Sequence, residues 1–238
     1  VIAYFWKSSD NPPNYLTLSA MHSRMPPKVI QISDEKSPKS LYATKTIRIP
    51  TEDDIMLARL KAYSQIPIKN EPIAYLDADT IFLKNIEIKN YNPEKHYILP
   101  RTNDFIINPS WPEYYPEFVN KKAQDVMPYL FGAVITANPD LFEELYKICS
   151  ALPRRFHRWY GDQVSLAIYA KRNKQIFELL DPKKNMLVLS GRITEEHIDS
   201  IMREDPQTIT FKGPESKKYM QSTFKKLIKV KTKNGNHS

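Results

Sequence analysis

The unbroken apolar run Ile73-Ala74-Tyr75-Leu76, closed at once by Asp77-Ala78-Asp79, constrains this chain more than any other segment. Side chains alternate between the two faces of a strand, so apolar residues in succession describe a buried strand, the kind found inside a parallel sheet. The carboxylates then fall where that strand leaves the sheet. Residues two apart in extended chain point the same way, so Asp77 and Asp79 can address one hard cation such as Mg²⁺ or Mn²⁺. A cation held there can grip a diphosphate. The competing reading is a strand followed by an acidic turn that Thr80 caps.

The surrounding pattern predicts layers on both sides of such a sheet. Val1-Ile2-Ala3-Tyr4-Phe5-Trp6 reads as a first core strand, Asp10-Asn11-Pro12-Pro13 leads into a helix near 14–23, and Lys28-Val29-Ile30-Gln31-Ile32 reads as a second strand ending at Ser33-Asp34. Thr51-Glu52-Asp53-Asp54 has the acidic first turn of a helix start, and Ile55, Ala58, Ala62 and Ile66 supply its apolar stripe. Beyond the aspartates come a strand near 96–99, an aromatic and proline-rich loop, an apolar strand at 130–137 and a helix from 139 to 152. The second half is less regular, with helices near 162–171 and 194–203, strands near 186–190 and 207–211, and a basic C-terminal helix. This alternation predicts an α/β fold with a mostly parallel sheet, helices on both faces and ligands at the carboxyl ends of the strands.

At 238 residues, 41% apolar and 26% charged, the chain is long enough to bury a sizeable core, read as one domain over 1–228. Residues 229–238 read as a basic tail or the start of a linker, so the chain is also compatible with one domain of a longer, multi-domain protein. No apolar stretch approaches the ~18 residues of a membrane span, and the first strand is too short and wrongly flanked for a signal peptide. The lone Cys149 falls with Phe142, Leu145 and Leu152 on one helix face, which predicts a core thiol in a reducing compartment.

Net charge is +8, with lysines concentrated from Lys217-Lys218 through Lys225-Lys226, Lys229, Lys231 and Lys233. That excess suits an anionic partner: nucleic acid, an anionic membrane surface or a sugar nucleotide. It suits a solvated basic helix equally well. Glycine discriminates better. Only Gly132, Gly161, Gly191, Gly213 and Gly235 occur, so neither a dinucleotide fingerprint nor a Walker loop exists. Any phosphate must be met by a metal together with Lys or Arg. His22, His96, His157, His197 and His237 show no metal-type spacing and read as surface or satisfied residues, with His157 and His197 the two to watch.

Arg59-Leu60-Lys61-Ala62-Tyr63 and Tyr75 through Ile86 resemble the helix and D-x-D strand of the glycogenin-like family 8 glycosyltransferases. Three later segments follow in the order of that family: Phe131-Gly132-Ala133-Val134-Ile135 with Asn138-Pro139, Gly161-Asp162-Gln163, and Phe211-Lys212-Gly213 with Lys217-Lys218. The resemblance covers most of residues 1–219. It implies a GT-A (Rossmann-like) fold in which Asp77, Ala78 and Asp79 line the donor site, the two aspartates holding Mn²⁺ or Mg²⁺ against the diphosphate of a nucleotide sugar, UDP foremost. Arg59, Lys61, Lys212, Gly213, Lys217 and Lys218 join the donor site. Asp162 and Gln163 are implied as catalytic residues beside the reacting sugar, with positioning the acceptor hydroxyl, acting as a base and stabilising an oxocarbenium-like transition state all open to Asp162, which is also a good helix N-cap. The partners implied are a nucleotide-sugar donor and a saccharide acceptor, not nucleic acid. Transfer of a hexosyl or deoxyhexosyl group with retention of configuration is implied with them.

The chain departs from that family in two places. Thr210 stands where the family has a metal-binding His, and threonine is a poor substitute for imidazole. Phe131 stands where the family often has Asn. Two aromatic clusters, one around Trp111 and one around Trp159, offer stacking faces for an acceptor sugar, Trp159 being the better placed beside Gly161-Asp162-Gln163.

Other classes fit less well. A haloacid-dehalogenase-type phosphatase carries Thr four residues after its first Asp, but here Thr80 is three after Asp77. A nucleotidyltransferase shows a glycine-rich opening that this chain lacks. The alternative that survives is a non-catalytic nucleotide-sugar or carbohydrate-binding domain. Either reading is compatible with a cytoplasmic chain or one lying peripherally on the cytoplasmic face of a membrane.

Overall fold

A computed structural model describes residues 1–226 except 13, 24, 51–53, 69–70 and 111–114. The chain opens as β1 (Ile2–Phe5), α1 (Tyr15–Met21), β2 (Val29–Ser33), β3 (Lys45–Arg48), α2 (Ile55–Ser64), β4 (Ile73–Leu76) and β5 (Thr80–Phe82). It continues as β6 (His96–Pro100), α3 (Ala123–Val126), β7 (Tyr129–Thr136), α4 (Asp140–Ser150), α5 (Arg154–Arg158) and α6 (Gly161–Arg172). Then come β8 (Phe177–Leu179), β9 (Leu187–Ser190), α7 (Glu195–Arg203), β10 (Thr208–Lys212) and α8 (Pro214–Lys217), and residues 220–226 are again helical.

Seven strands form one sheet in the order β3-β2-β1-β4-β7-β6-β8. It is parallel except that β7 runs against both of its neighbours. The mostly parallel α/β architecture expected from the sequence is the one observed. Burial follows the pleat. Ala3, Phe5, Ile73 and Tyr75 point into the core under α2, α4 and α6, while Ile2, Tyr4, Ala74 and Leu76 point into the core shared with Leu16 and Ala20 of α1. Within the first core, Tyr63, Tyr75 and Phe142 pack with ring centroids 4.3–5.1 Å apart. Cys149 is fully buried there, as expected, and burial pushes its thiol up to about 11.

Chain order turns at β1, which pairs with β2 on one side and β4 on the other. In an open parallel sheet such a switch point leaves a crevice beyond the carboxyl ends of the strands. The Asp77-Ala78-Asp79 link emerges there, and it leads straight into a second sheet, β5-β10-β9. Thr80 therefore does not cap a turn: it is the fully buried first residue of β5.

The sequence reading missed β3, β5, α3, α5 and β8. β3 is a polar edge strand, and β5 and β8 are three residues each, too short for an alternation to register. The helix start at Thr51-Glu52-Asp53 lies outside the described residues, as do Trp111 and the tail 229–238. Asp54 does occupy the N-cap position of α2, but its carboxylate makes no capping hydrogen bond and turns to Arg158 at 3.1 Å and Arg154 at 3.9 Å, tying α5 to α2. Among the described residues no helix is long and apolar enough to cross a membrane.

Candidate active site

Asp77 and Asp79 occupy the link between the two sheets, and β10 is laid against them by backbone pairing. Thr210 sits opposite Thr80 in antiparallel register, and the Phe211 N–H donates to the Asp79 carbonyl at 3.1 Å. Alternation along β10 then turns Thr210 and Lys212 toward the same place. Thr210 Oγ1 donates to Asp79 Oδ1 at 3.3 Å, and Lys212 Nζ donates to the same oxygen at 3.1 Å and to Asp77 Oδ2. Lys217 of α8 reaches Asp79 Oδ2 at 2.9 Å, and Arg59 of α2 donates to Asp77 Oδ1 at 3.0 Å. All four carboxylate oxygens thus accept from a cationic side chain.

The electrostatics follow from that packing. Burial drives the Asp77 carboxyl up, but Lys212 and then Arg59 outweigh it and hold it below the ordinary carboxylate range. Burial lowers the Lys212 ammonium, and Asp77 with Asp79 more than reverse this, leaving it above the ordinary lysine value. Both groups are charged at neutral pH.

Gly132 of β7 forms the floor. Its carbonyl accepts the Asp77 N–H at 3.3 Å, and a Cβ there would lie 3.2 Å from Asp77 Oδ2 and 3.5 Å from Lys212 Nζ. A glycine inside an apolar strand marks a close approach of this kind, a signal in the sequence from which the floor could have been read.

A second acidic position lies behind the first. Arg59 also pairs with Asp162 Oδ2, so one guanidinium bridges β4's end to α6, with its plane 4.8 Å over the Phe131 ring. Asp162 Oδ1 accepts the Gln163 N–H at 2.7 Å. Gln163 is engaged at both ends of its amide, accepting the Phe131 N–H at 3.0 Å and donating to the Tyr129 carbonyl at 2.6 Å. Both groups lie at the start of β7, beside the register shift that β7 makes against β6 between Ile98 and Leu99. Tyr160 sits just before α6 in the left-handed region (φ 65°) with its hydroxyl accepting from Arg101 at 3.3 Å.

The remaining expected residues scatter. Ala78 packs into the core on the opposite sheet face, and Lys61 is turned about 200° around α2 from Arg59. Lys218 is directed to Glu215 at 2.8 Å rather than to the aspartates. Gly213 holds φ +80° at the turn from β10 into α8, the turn that brings Lys217 back over Asp79. Phe156, Tyr115 and Phe118 pack on one another, with centroids 5.0 and 5.9 Å apart, whereas Trp159 is 60% exposed.

The Mn²⁺ or Mg²⁺ expected from the resemblance meets a donor set that it does not fit. Among the described residues no three His, Cys, Asp or Glu side chains converge on one point. The space between the two carboxylates that a shared dication needs is bridged by the Lys212 ammonium, and the third position offers only the Thr210 hydroxyl. Asp77 and Asp79 are gathered as expected, but around lysine.

The fold is similar to that of a glycosyltransferase. One solved structure with such a fold is the apo-form glycosyltransferase GlyE of Streptococcus pneumoniae TIGR4, matched over 98% of this chain with a TM-score of 0.56 and 8% sequence identity. This chain spans 63% of that one's length. No family model and no curated protein matches the sequence. At that identity the likeness is one of architecture, and the chemistry rests on the side chains above.

Proposed function

We propose that this chain transfers a glycosyl group from a nucleotide-diphosphate sugar, a UDP-sugar first among them, to a saccharide hydroxyl. The observation that carries the reading is the convergence of Arg59, Lys212 and Lys217 on two strand-end carboxylates at the switch point of a glycosyltransferase-like fold. Glycosyl transfer loads negative charge on a departing diphosphate, and fixed cations at the carboxyl ends of the strands stabilise that charge as it develops. The acceptor oxygen bonds to the anomeric carbon, and the bond from that carbon to the diphosphate oxygen breaks with its electron pair on the diphosphate. The hydroxyl proton passes to the departing diphosphate and on to solvent.

The second acidic position supports this by placing groups. With one oxygen held by Arg59 and the other by the Gln163 N–H, and only 3% exposed, Asp162 orients Arg59 and the start of α6. Gln163 holds the strand that carries Gly132. Trp159, three residues before Asp162 and open to solvent, is the stacking face proposed for the acceptor. Retention of configuration belongs to the same reading through the family resemblance.

The test is a thermal-shift screen of UDP-, GDP-, ADP- and CDP-sugars, followed by an assay for release of the nucleoside diphosphate with saccharide acceptors added. One stabilising donor with acceptor-dependent release is expected. Stabilisation without release across acceptors identifies a non-catalytic binding domain, and a flat screen sinks the donor site altogether.

A further inference from the structure

We infer that Lys212 is the resident cation of this site, so that diphosphate binds without a divalent metal and the Asp77–Asp79 pair serves to hold two lysines toward it. The inference rests on the diphosphate-binding reading above and reverses one of its expected features. Four observations carry it.

First, Lys212 Nζ contacts one oxygen of each aspartate, which is the bridging position of a shared metal ion. Second, the outer oxygens are also taken by cations, Arg59 on Asp77 and Lys217 on Asp79. A dication entering there would displace an ammonium into the company of two like charges. Third, Lys212 is built in. β10 is paired on both sides, Lys212 lies opposite Ser190 of β9, and its carbonyl accepts from Ser216 Oγ at 2.7 Å. The end of its side chain lies over Gly132, with Cε and Nζ both 3.5 Å from where a Cβ would stand. Fourth, the residue two before it on the same strand face is Thr210, fully buried and donating to Asp79, so that face contributes a hydroxyl and an ammonium and no imidazole or carboxylate.

The lysines also differ in a way that suits ligand exchange. Lys217 is half exposed and Lys212 one-third exposed, so the cluster opens on the Lys217 side. An incoming diphosphate takes the Lys217 ammonium from Asp79 and meets the outward face of Lys212, whose link to both aspartates keeps it charged and in place.

The experiment uses the whole chain with inorganic pyrophosphate and UDP as probes, in EDTA and then with Mn²⁺. Both probes are expected to raise the melting temperature in EDTA, with affinity changed less than about threefold by Mn²⁺. The electron paramagnetic resonance signal of Mn²⁺ is expected to stay that of the free ion at protein excess. Lys212→Met, which keeps the length of the stem, is expected to lose at least about tenfold in UDP affinity while folding normally by circular dichroism. Should Lys212→Met not fold, Lys217→Met, at the exposed end, is expected to weaken UDP by a smaller factor. UDP binding that appears only with Mn²⁺, together with a protein-bound Mn²⁺ signal, overturns the inference and leaves glycosyl transfer standing. Absence of binding by UDP and every other nucleoside diphosphate, with and without Mn²⁺, overturns the functional reading itself.

Discussion

The two acidic positions of the site are joined by one arginine yet differ in what surrounds them. Asp77 and Asp79 lie where two sheets meet, with side chains about a fifth exposed and lysine partners that reach solvent. Asp162 lies under helices, with its side chain 4% exposed and its oxygens held by Arg59 and the backbone of Gln163. The difference separates two tasks. Groups at the sheet junction can exchange partners with a ligand because water and ligand can replace what they give up. Groups under the helices cannot, because any partner lost there is not replaced. On the proposed function, the outer position is the one that binds and the inner one the one that positions.

The largest expected effect tests the inner position. Asp162→Ala leaves Arg59 to the part-exposed Asp77 alone, strips the Gln163 N–H of its acceptor, and is expected to cost about 3 kcal/mol or more in urea unfolding. Asp79→Ala, at the outer position, is expected to cost about 1 kcal/mol or less while abolishing UDP-sugar turnover. Equal stability losses in the two variants would break the comparison.

Next in size is a pair of glycine substitutions. A Cβ on Gly161 would meet the Phe156 carbonyl oxygen at 2.1 Å and Cys149 Sγ at 2.8 Å, so Gly161→Ala is expected to destabilise by about 3 kcal/mol or more. Gly132→Ala meets its nearest atom, Asp77 Oδ2, at 3.2 Å. It is expected to cost about 1 kcal/mol in stability but to weaken UDP binding, because the atoms that must move are Asp77 and Lys212. Thermal unfolding and UDP titration on the two variants sharpen the contrast between structural and binding glycines.

Gln163→Leu removes the side-chain partners of the Phe131 N–H and the Tyr129 carbonyl and is expected to cost about 2 kcal/mol. Its turnover should fall with little change in donor affinity, since the residue holds Gly132's strand and touches no cation of the outer position. A variant with normal turnover would show that the start of β7 holds itself.

The smallest effect is in pH dependence. The folded pKa of Asp77 lies below its ordinary value, so its stabilisation is complete above the ordinary carboxylate range and is lost as pH falls through the lower folded value. Lys212 is raised, so its share is complete below the ordinary lysine value and is lost as pH rises through the raised one. His96, which burial lowers to about 4, adds its own loss of stability on the acid side, so the Asp77 share is read by difference: Asp77→Asn should remove the part of the acid limb that this group supplies.

Much of this architecture was legible in the residues. β1, β2, β4, β7, α2, α4 and α6 were read from apolar runs and helical stripes because each buries a face or both faces, and burial imposes a period on the sequence. β3 and β5 were not, since a polar edge strand and a three-residue strand carry no period of their own. Of the site, Asp77, Asp79, Arg59, Asp162, Lys212 and Lys217 were all named from the sequence, yet their pairings were not. Lys218 was named with Lys217 through the family resemblance, and the short helix α8 sends the two in different directions.

By itself the sequence determined that carboxylates would stand at the end of a buried strand with no glycine loop to receive phosphate, because both facts are local. Only the tertiary structure decided what those carboxylates hold. β10 is 131 residues away from the aspartates by its Thr210–Asp79 contact, and its pairing with β5 is what turns Lys212 into the gap between them. Strand register sets which side chain arrives at that gap, and register is a property of two segments together, written in neither alone.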